Sequence, residues 1–324
     1  MEIFSYFNYH ETMTLQQLKY AVAVADTHNI TEASRRLFIS QPSLTAAIRD
    51  LETEMGIIIF SRSNKGVTIT NDGDEFLSYA RQILEQTVLL EDRFKNKNGN
   101  VNPIFSVSAQ HYSFAVNAFI DVIRKFGEKK YNFTLRETQT HEIIEDVAHL
   151  KSEIGVLYLS GRNENIISKL IKKNNLSFRP LFTTSLYVFI STKNPLAKKQ
   201  EIKLVDLEPF PYLSYEQGDF NSFYFAEEPL TEIDFDCHKN IQVRDRATLF
   251  NLLIGLNGYT ICSGIISHEL NGANIISRPL VCDEHMTVGI LTRKGMLLSR
   301  YATTYIESLK QHVNTPDSML QENQ

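Results

Sequence analysis

Ser40, Gln41, Ser43, Thr45 and Arg49 fall within ten residues of one another and bring together side chains suited to reading a nucleic acid. Gln can pair bidentately with adenine and Arg with guanine in the major groove, each worth about 1–3 kcal/mol of discrimination, while Ser and Thr reach bases or phosphates. Such reading needs no nucleophile, only an exposed helical face. The apolar residues in between supply it: Leu44, Ile48, Leu51 and Met55 recur at steps of four, three and four, so they point into a small core and leave Gln41, Ser43, Thr45 and Arg49 on other faces.

Nothing comparable points to catalysis. The chain has no Walker-type phosphate loop, no Rossmann glycine fingerprint, no Gly-x-Ser-x-Gly elbow and no His-Glu-x-x-His helix. The nine histidines are scattered, and a pair such as His111 and His141 at helix starts is more often surface or ligand lining than an acid and a base. Cys237, Cys262 and Cys282, odd in number and widely spaced, suggest neither a disulfide framework nor a zinc site. We therefore expect no enzyme, no cofactor and no metal.

The elements that must hold the reading face can be traced outward from it. Leu15, Leu18, Val22 and Ala25 place one apolar stripe on a first helix. A second, short helix follows with Thr31 as its expected N-cap, Ala33 and Leu37 inward and Arg35 and Arg36 near the surface. Ser40 can cap the third helix, and Pro42 is tolerated in a first turn where its missing N–H costs little. Two helices joined by a few residues have helix-turn-helix spacing. Gly56 ends the third helix, and the β-branched runs Ile57–Phe60 and Val67–Thr70 flank Ser61–Gly66, a hairpin tip carrying Arg62 and Lys65.

Charge does not explain nucleic-acid binding. The formal net charge is −5, and residues 13–75 hold six basic against eight acidic residues, so binding must rest on placement of a few cations. The 324 residues suffice for two or three domains, and 43% apolar content is that of a globular protein. The N-terminus MEIFSYFNYHETM lacks a basic n-region and an apolar h-region, and no stretch approaches the roughly 20 apolar residues of a membrane span. A cytoplasmic protein without a membrane partner is expected.

The runs Leu15–Leu18, Thr31–Leu37, Ile39–Leu44, Ile48–Glu52 and Gly56–Gly66, in that order, resemble the signature of LysR-type transcriptional regulators. The resemblance implies that Ser40, Gln41, Pro42, Ser43, Thr45 and Arg49 face double-stranded promoter DNA, with Thr31 and Arg35 nearby and Arg62 and Lys65 on a wing. Ala46, Ala47 and Asp50 depart from the family, which often carries larger polar residues or a cation there, so more weight falls on DNA shape. Met13-Thr14-Leu15 is similar to a typical family start, which leaves residues 1–12 as an extension or an upstream start choice.

Thr70 or Asn71 can cap a long helix over 71–97 on which Phe76, Ala80, Ile83, Thr87, Leu90 and Phe94 form an apolar seam. The seam could pack on its own N-terminal domain (13–70). The resemblance implies instead a dimerisation helix, in a homodimer that assembles further into a homotetramer. The polar stretch Lys95–Asn100 is a hinge.

From Ile104 short strands alternate with amphipathic helices: Phe105–Ala109, Phe133–Arg136, Ile154–Leu159, Leu186–Ile190, Tyr212–Ser214, Ile241–Val243, Tyr259–Cys262 and Met286–Leu291. This argues an α/β domain with mainly parallel sheets. Pro195–Ala197 and Gly255–Tyr259 are similar to the family's effector domain, which implies a periplasmic-binding-protein-like fold over 102–312. Its first lobe would comprise 102–182 and 279–312, its second 183–278. Ligands of such folds sit beyond the carboxyl ends of the strands, where helix N-termini favour an anion. The polar run Ser108, Gln110, His111, Tyr112, Ser113 opens a helix there, as does the run holding Thr140. The resemblance places Gln110, Tyr112, Ser113 and Thr140 along the effector cleft, and Phe220 and Asn221 are the candidates from the second lobe. N-capping alone also accounts for Ser and Thr at such turns.

The expected protein is thus a DNA-binding regulator that senses a small molecule, preferentially a carboxylate. A solute-binding module without a DNA role, and an enzyme on a two-lobed scaffold, remain open on these grounds.

Overall fold

The computed structural model describes residues 13–63, 66–95, 103–127, 130–220, 224–228 and 239–314, so residues 1–12 and the expected hinge after Lys95 lie outside the described residues. The chain divides into two compact units, one up to Asn100 and one from Val101.

In the first unit, α1 (Leu15–Thr27) starts at a capping box in which Thr14 Oγ1 accepts from Gln17 N (3.2 Å) and Gln17 Oε1 accepts from Thr14 N (2.9 Å). Of the expected stripe it buries Leu18 and Ala25, joined by Ala21 and Val24, whereas Leu15 is exposed and Val22 half-buried. The capping residue of α2 (Ile30–Arg36) is Asn29, whose Oδ1 accepts from Glu32 N at 3.0 Å. Thr31 is therefore inside the helix, not its cap. α3 (Gln41–Met55) begins as expected, with Ser40 Oγ accepting from Ser43 N (3.2 Å) and Pro42 in the first turn, and ends at Gly56, whose φ of +66° suits a residue without a Cβ. Leu44, Ile48 and Leu51 are buried in one core with Ala21, Val24, Ala33 and Leu77.

β1 (Phe60–Ser63) and β2 (Gly66–Ile69) pair antiparallel, Phe60 opposite Ile69 and Ser63 opposite Gly66. The hairpin is displaced from the expected Ile57–Phe60 strand because Glu52 Oε1 takes the N–H groups of Ile59 (2.8 Å) and Phe60 (3.0 Å), holding Ile57–Ile59 against α3. α4 (Asn71–Lys95) is capped by Thr70, whose Oγ1 accepts from Gly73 N at 2.9 Å. Its first turns pack on the unit's own core through Leu77 and Ala80, whereas Ile83, Val88 and Leu90 are exposed. The seam therefore divides: its beginning is core and its end is free surface of this unit.

The second unit holds two sheets. The elements are β3 (Ile104–Ala109), α5 (Ser113–Phe126), β4 (Asn132–Glu137), α6 (Thr140–Ala148), β5 (Ile154–Ser160), α7 (Glu164–Lys173), β6 (Leu176–Ser185), β7 (Tyr187–Ser191), β8 (Ile202–Lys203), α8 (Leu204–Leu207), β9 (Tyr212–Tyr215), β10 (Asn240–Val243), α9 (Arg246–Leu256), β11 (Tyr259–Cys262), α10 (His268–Asn271), β12 (Ile275–Val281), β13 (His285–Arg293) and α11 (Arg300–Asn314). The first sheet has the order β4-β3-β5-β13-β6, the second β10-β9-β11-β7-β12-β8.

Every strand expected in this unit is present, but the sheets are mixed rather than mainly parallel. β13 runs antiparallel to β5 and β6, and β7 antiparallel to β11 and β12. The reason is the path between sheets: the chain leaves the first after β6 at Leu186 and returns after β12, so β7 and β13 run against their neighbours. The expected lobe limits at 182/183 and 278/279 fall inside β6 and β12, a few residues before the observed crossings. α5 and α11 cover the first sheet around Phe105, Phe119 and Tyr305, and α9 covers the second through Leu249 and Leu253.

Candidate functional site

On the first unit, Arg35, Ser40, Gln41, Pro42, Ser43 and Arg49 are exposed together on α2, α3 and the turn between them, as is Thr31, while Thr45 is half-buried. Capping organises this face. Ser40 and Ser43 hydroxyls lie 2.7 Å apart, and Thr31 Oγ1 donates to Gln41 Oε1 at 3.1 Å, tying α2 to the start of α3. Arg36 is held by Glu32 at 3.2 Å. Phe38 projects from the turn at 95% exposure with φ +55°, a conformation that costs a non-glycine residue roughly 1 kcal/mol or more. Arg62 is within β1, opposite Val67, rather than at the hairpin tip; Lys65 lies outside the described residues.

In the second unit a crevice opens between the two sheets at the carboxyl ends of β3 and β9. His111, Tyr112 and Ser113 line it from the β3–α5 turn, and Tyr215, Arg246 and Cys262 from the second sheet's side. Ser113 Oγ accepts from Ser267 N at 3.1 Å across it. The free volume is only about 40 Å³, room for a few waters, against the roughly 300 Å³ or more of a typical ligand pocket.

What fills the crevice is the chain itself. Glu227 and Glu228, both more than nine-tenths buried, belong to the connection between β9 and β10 and line the same cavity. Glu227 Oε2 accepts from His111 N (3.1 Å) and lies 2.8 Å from His111 Nδ1, while Glu227 Oε1 accepts from Gln217 Nε2 at 3.4 Å. Glu228 Oε1 accepts from Tyr215 N at 2.9 Å. Burial alone would depress the His111 pKa, but the neighbouring Glu227 carboxylate, helped by Glu137, outweighs it and raises the pKa above its ordinary value. Burial, reinforced by Glu227, pushes the Tyr112 and Tyr215 phenols far up, so both stay protonated donors. Arg246, the first residue of α9, sits 3.2 Å from Glu137 Oε1, and its buried Nη1 has no hydrogen-bond partner among the described residues.

The expected residues divide accordingly. His111, Tyr112 and Ser113 line the crevice. Gln110 and Thr140 stand behind it: Gln110 Nε2 donates to Thr140 Oγ1 (2.7 Å), and its Oε1 accepts from Tyr112 OH (2.9 Å) and Tyr158 N (3.0 Å). Ser108 is turned away, bonded to Asp146 (2.6 Å) and Ser152 (2.8 Å) beneath α6. Phe220 ends a short 3-10 turn from Gly218, and Asn221 lies outside the described residues. Arg246, Tyr215, Glu227 and Glu228 are additions. The one signal for the acidic pair is its setting in Tyr224-Phe225-Ala226-Glu227-Glu228, charges flanked by aromatics that would seek burial.

Two family models match the chain. One, described as a bacterial regulatory helix-turn-helix protein of the lysR family, matches residues 15–74; the other, a LysR substrate binding domain, matches residues 109–314. The chain belongs to the LysR family. It is a DNA-binding transcriptional regulator with a substrate-binding domain, and members of this family are regulators rather than enzymes. As a LysR regulator it is similar to the transcriptional regulator YbhD of Escherichia coli K12, 25% identical over 91% of this chain and 90% of the relative. It is also similar to a probable RuBisCO transcriptional regulator of Thalassiosira pseudonana, 28% identical over 89% of each. Among solved structures, a full-length OxyR variant from Pseudomonas aeruginosa shares the fold with a TM-score of 0.63 at 21% identity, over 95% of this chain and 97% of that one. CbnR, a LysR family regulator, does so with a TM-score of 0.54 at 18% identity, over 93% and 99%. Among the described residues no helix of this LysR regulator is long and apolar enough to cross a membrane, and no cluster of His, Cys, Asp or Glu could hold a metal ion.

Proposed function

We propose that this LysR regulator senses a small carboxylate in the crevice between its two sheets and couples the occupancy of that site to promoter binding in the cytoplasm. The observation that carries the effector class is the donor set: the His111 N–H and imidazole converge on a carboxylate, that of Glu227, and the half-buried Arg246 lines the same cavity, its buried Nη1 unpartnered among the described residues. Such donors favour an anion by charge-assisted hydrogen bonds. His111, Tyr112, Ser113 and Arg246 would touch the effector, and Gln110 and Thr140 would hold them in place.

Promoter DNA is read by the α3 face, through exposed Gln41, Ser43 and Arg49 and half-buried Thr45, with Ser40, Pro42, Thr31 and Arg35 at its edge and Arg62 and Lys65 on the hairpin. The exposed half of α4 supports a homodimer through Ile83, Val88 and Leu90, since apolar surface on a helix wants a partner; two dimers holding two DNA segments make a homotetramer. Effector binding shifts the population between two arrangements of the assembly and so changes DNA bending, with the size of the response set by the differential affinity.

A second reading draws on the paired Glu227 and Glu228: an amine-bearing effector held by those carboxylates. Titrating the protein–promoter complex with a panel of small carboxylates and a matched panel of amines separates the two. The carboxylate reading expects at least one carboxylate, and no amine, to change the affinity for a duplex from the flanking DNA, with the same factor recovered for effector affinity with and without DNA. Equal effector affinity in both states would sink the coupling.

A further inference from the structure

We infer that Glu227 is a built-in occupant of the effector position, and that an effector acts by displacing the Glu227 carboxylate from the His111 donors; this rests on the carboxylate reading above. Glu227 belongs, by its place between β9 and β10, to the second sheet's half of the unit, yet the segment around it is fastened to the first. Phe225 packs against the α6–α7 core of the first sheet and meets His141 edge-on at 5.6 Å. Tyr158 OH donates to Ala226 O at 3.1 Å, and Glu227 binds both the backbone N–H and the ring of His111. The second half holds the other end through Gln217 on Glu227 and Tyr215 N on Glu228. A run of four residues thus stitches the two halves across the crevice and leaves about 40 Å³ free in it.

The arrangement has two consequences. A free carboxylate cannot reach the His111 N–H while Glu227 holds it, because one N–H cannot serve two strong acceptors and two carboxylates would be brought together in a dry site. A tethered carboxylate also competes at high effective concentration, typically millimolar for short connections. Apparent effector affinity is therefore the intrinsic affinity multiplied by the fraction of molecules in which Glu227 has left. The halves are held by the chain's own anion before the effector arrives, and the effector's task is to replace a stitch rather than to close an empty cleft.

The test uses the full chain, with acetate and benzoate as carboxylate probes and methylammonium as a cation, binding being read by calorimetry on wild type, Glu227→Ala, Glu227→Gln and the exposed control Glu164→Ala. Displacement predicts that Glu227→Ala binds a carboxylate probe at least tenfold more tightly than wild type, that Glu227→Gln, which keeps the volume and loses the charge, gains part of this, and that Glu164→Ala gains nothing. Far-UV circular dichroism checks each fold, and Glu227→Gln carries the test if the alanine variant does not fold. Equal carboxylate affinity in all four proteins would overturn displacement and leave the carboxylate reading standing. Methylammonium binding to wild type that is lost in Glu227→Ala, with no carboxylate binding anywhere, would overturn both. Absence of any binding to a folded Glu227 variant would overturn displacement as well.

Discussion

The imidazole of His111 lies flat on the phenol ring of Tyr215, their centroids 3.9 Å apart and their planes 5° from parallel. One ring comes from the β3–α5 turn and the other from the end of β9, so the stack spans the crevice. The charged groups facing His111 include Glu227 and Glu137, which favour its proton, and Arg246, which opposes it; the Asp245 carboxylate feels the same imidazole. With its pKa raised above the ordinary imidazole value, the folded chain binds the proton more tightly than the unfolded one. The stabilisation is complete below the unfolded value and is lost as pH rises through the folded one. Wild type should therefore lose melting temperature relative to His111→Gln as pH rises above the ordinary imidazole value of 6.5; a difference constant with pH would contradict the pairing.

Ser40 caps α3 and, in the proposed function, also meets promoter DNA. Ser40→Ala should cost about 1 kcal/mol of stability in the first unit, seen as a lower denaturation midpoint, and should weaken promoter binding by more than that loss of folded protein accounts for. Normal promoter affinity in the variant would remove Ser40 from the interface.

Arg49 is exposed and its removal should leave the fold intact. Arg49→Ala should weaken binding to the cognate duplex by about 1–3 kcal/mol, roughly five- to 150-fold, if it reads a base. If it meets a phosphate instead, affinity for cognate and scrambled duplexes should fall alike and the salt dependence should flatten. Unchanged affinity for both duplexes would exclude Arg49 from either role.

The α3 face was legible because local rules agree there: a Ser cap, a first-turn Pro, apolar steps of four and three, and a terminal Gly all specify one helix. Strands buried on both faces, such as β5, were legible for the same reason. β6 and β12 were not, since each carries a proline (Pro180, Pro279) and is buried irregularly along its length, which removes the alternation that marks a strand. Asn29 displaced Thr31 as a cap because both residues are good caps and only the backbone chooses. Glu227 and Glu228 were out of reach for a different reason. Adjacent carboxylates read as solvated charge, and their burial depends on donors more than a hundred residues away, as with His111.

The exposed end of α4 makes a claim about assembly. Glutamate in place of both Ile83 and Leu90 should shift the protein toward monomer in sedimentation velocity while leaving the α1–α4 core, through Leu77 and Ala80, folded. An unchanged sedimentation coefficient would place the self-association surface elsewhere.

Cys262 lines the crevice, but burial pushes its thiol well above the ordinary range. In a Cys237→Ser, Cys282→Ser background it should react with thiol reagents orders of magnitude more slowly in the folded protein than in urea, because the thiolate is the nucleophile. Fast native labelling would show that the crevice opens freely without an effector.

The polypeptide crosses between the two sheets twice, at Leu186 and again between β12 and β13. A single strap would let the halves swivel in any direction; a pair of them works like the two pins of a door. Any opening of the crevice would be a swing about the line through both straps, and whatever sits at the far edge would set its angle. A side chain there, or a metabolite in its stead, is in effect the thickness of the doorstop.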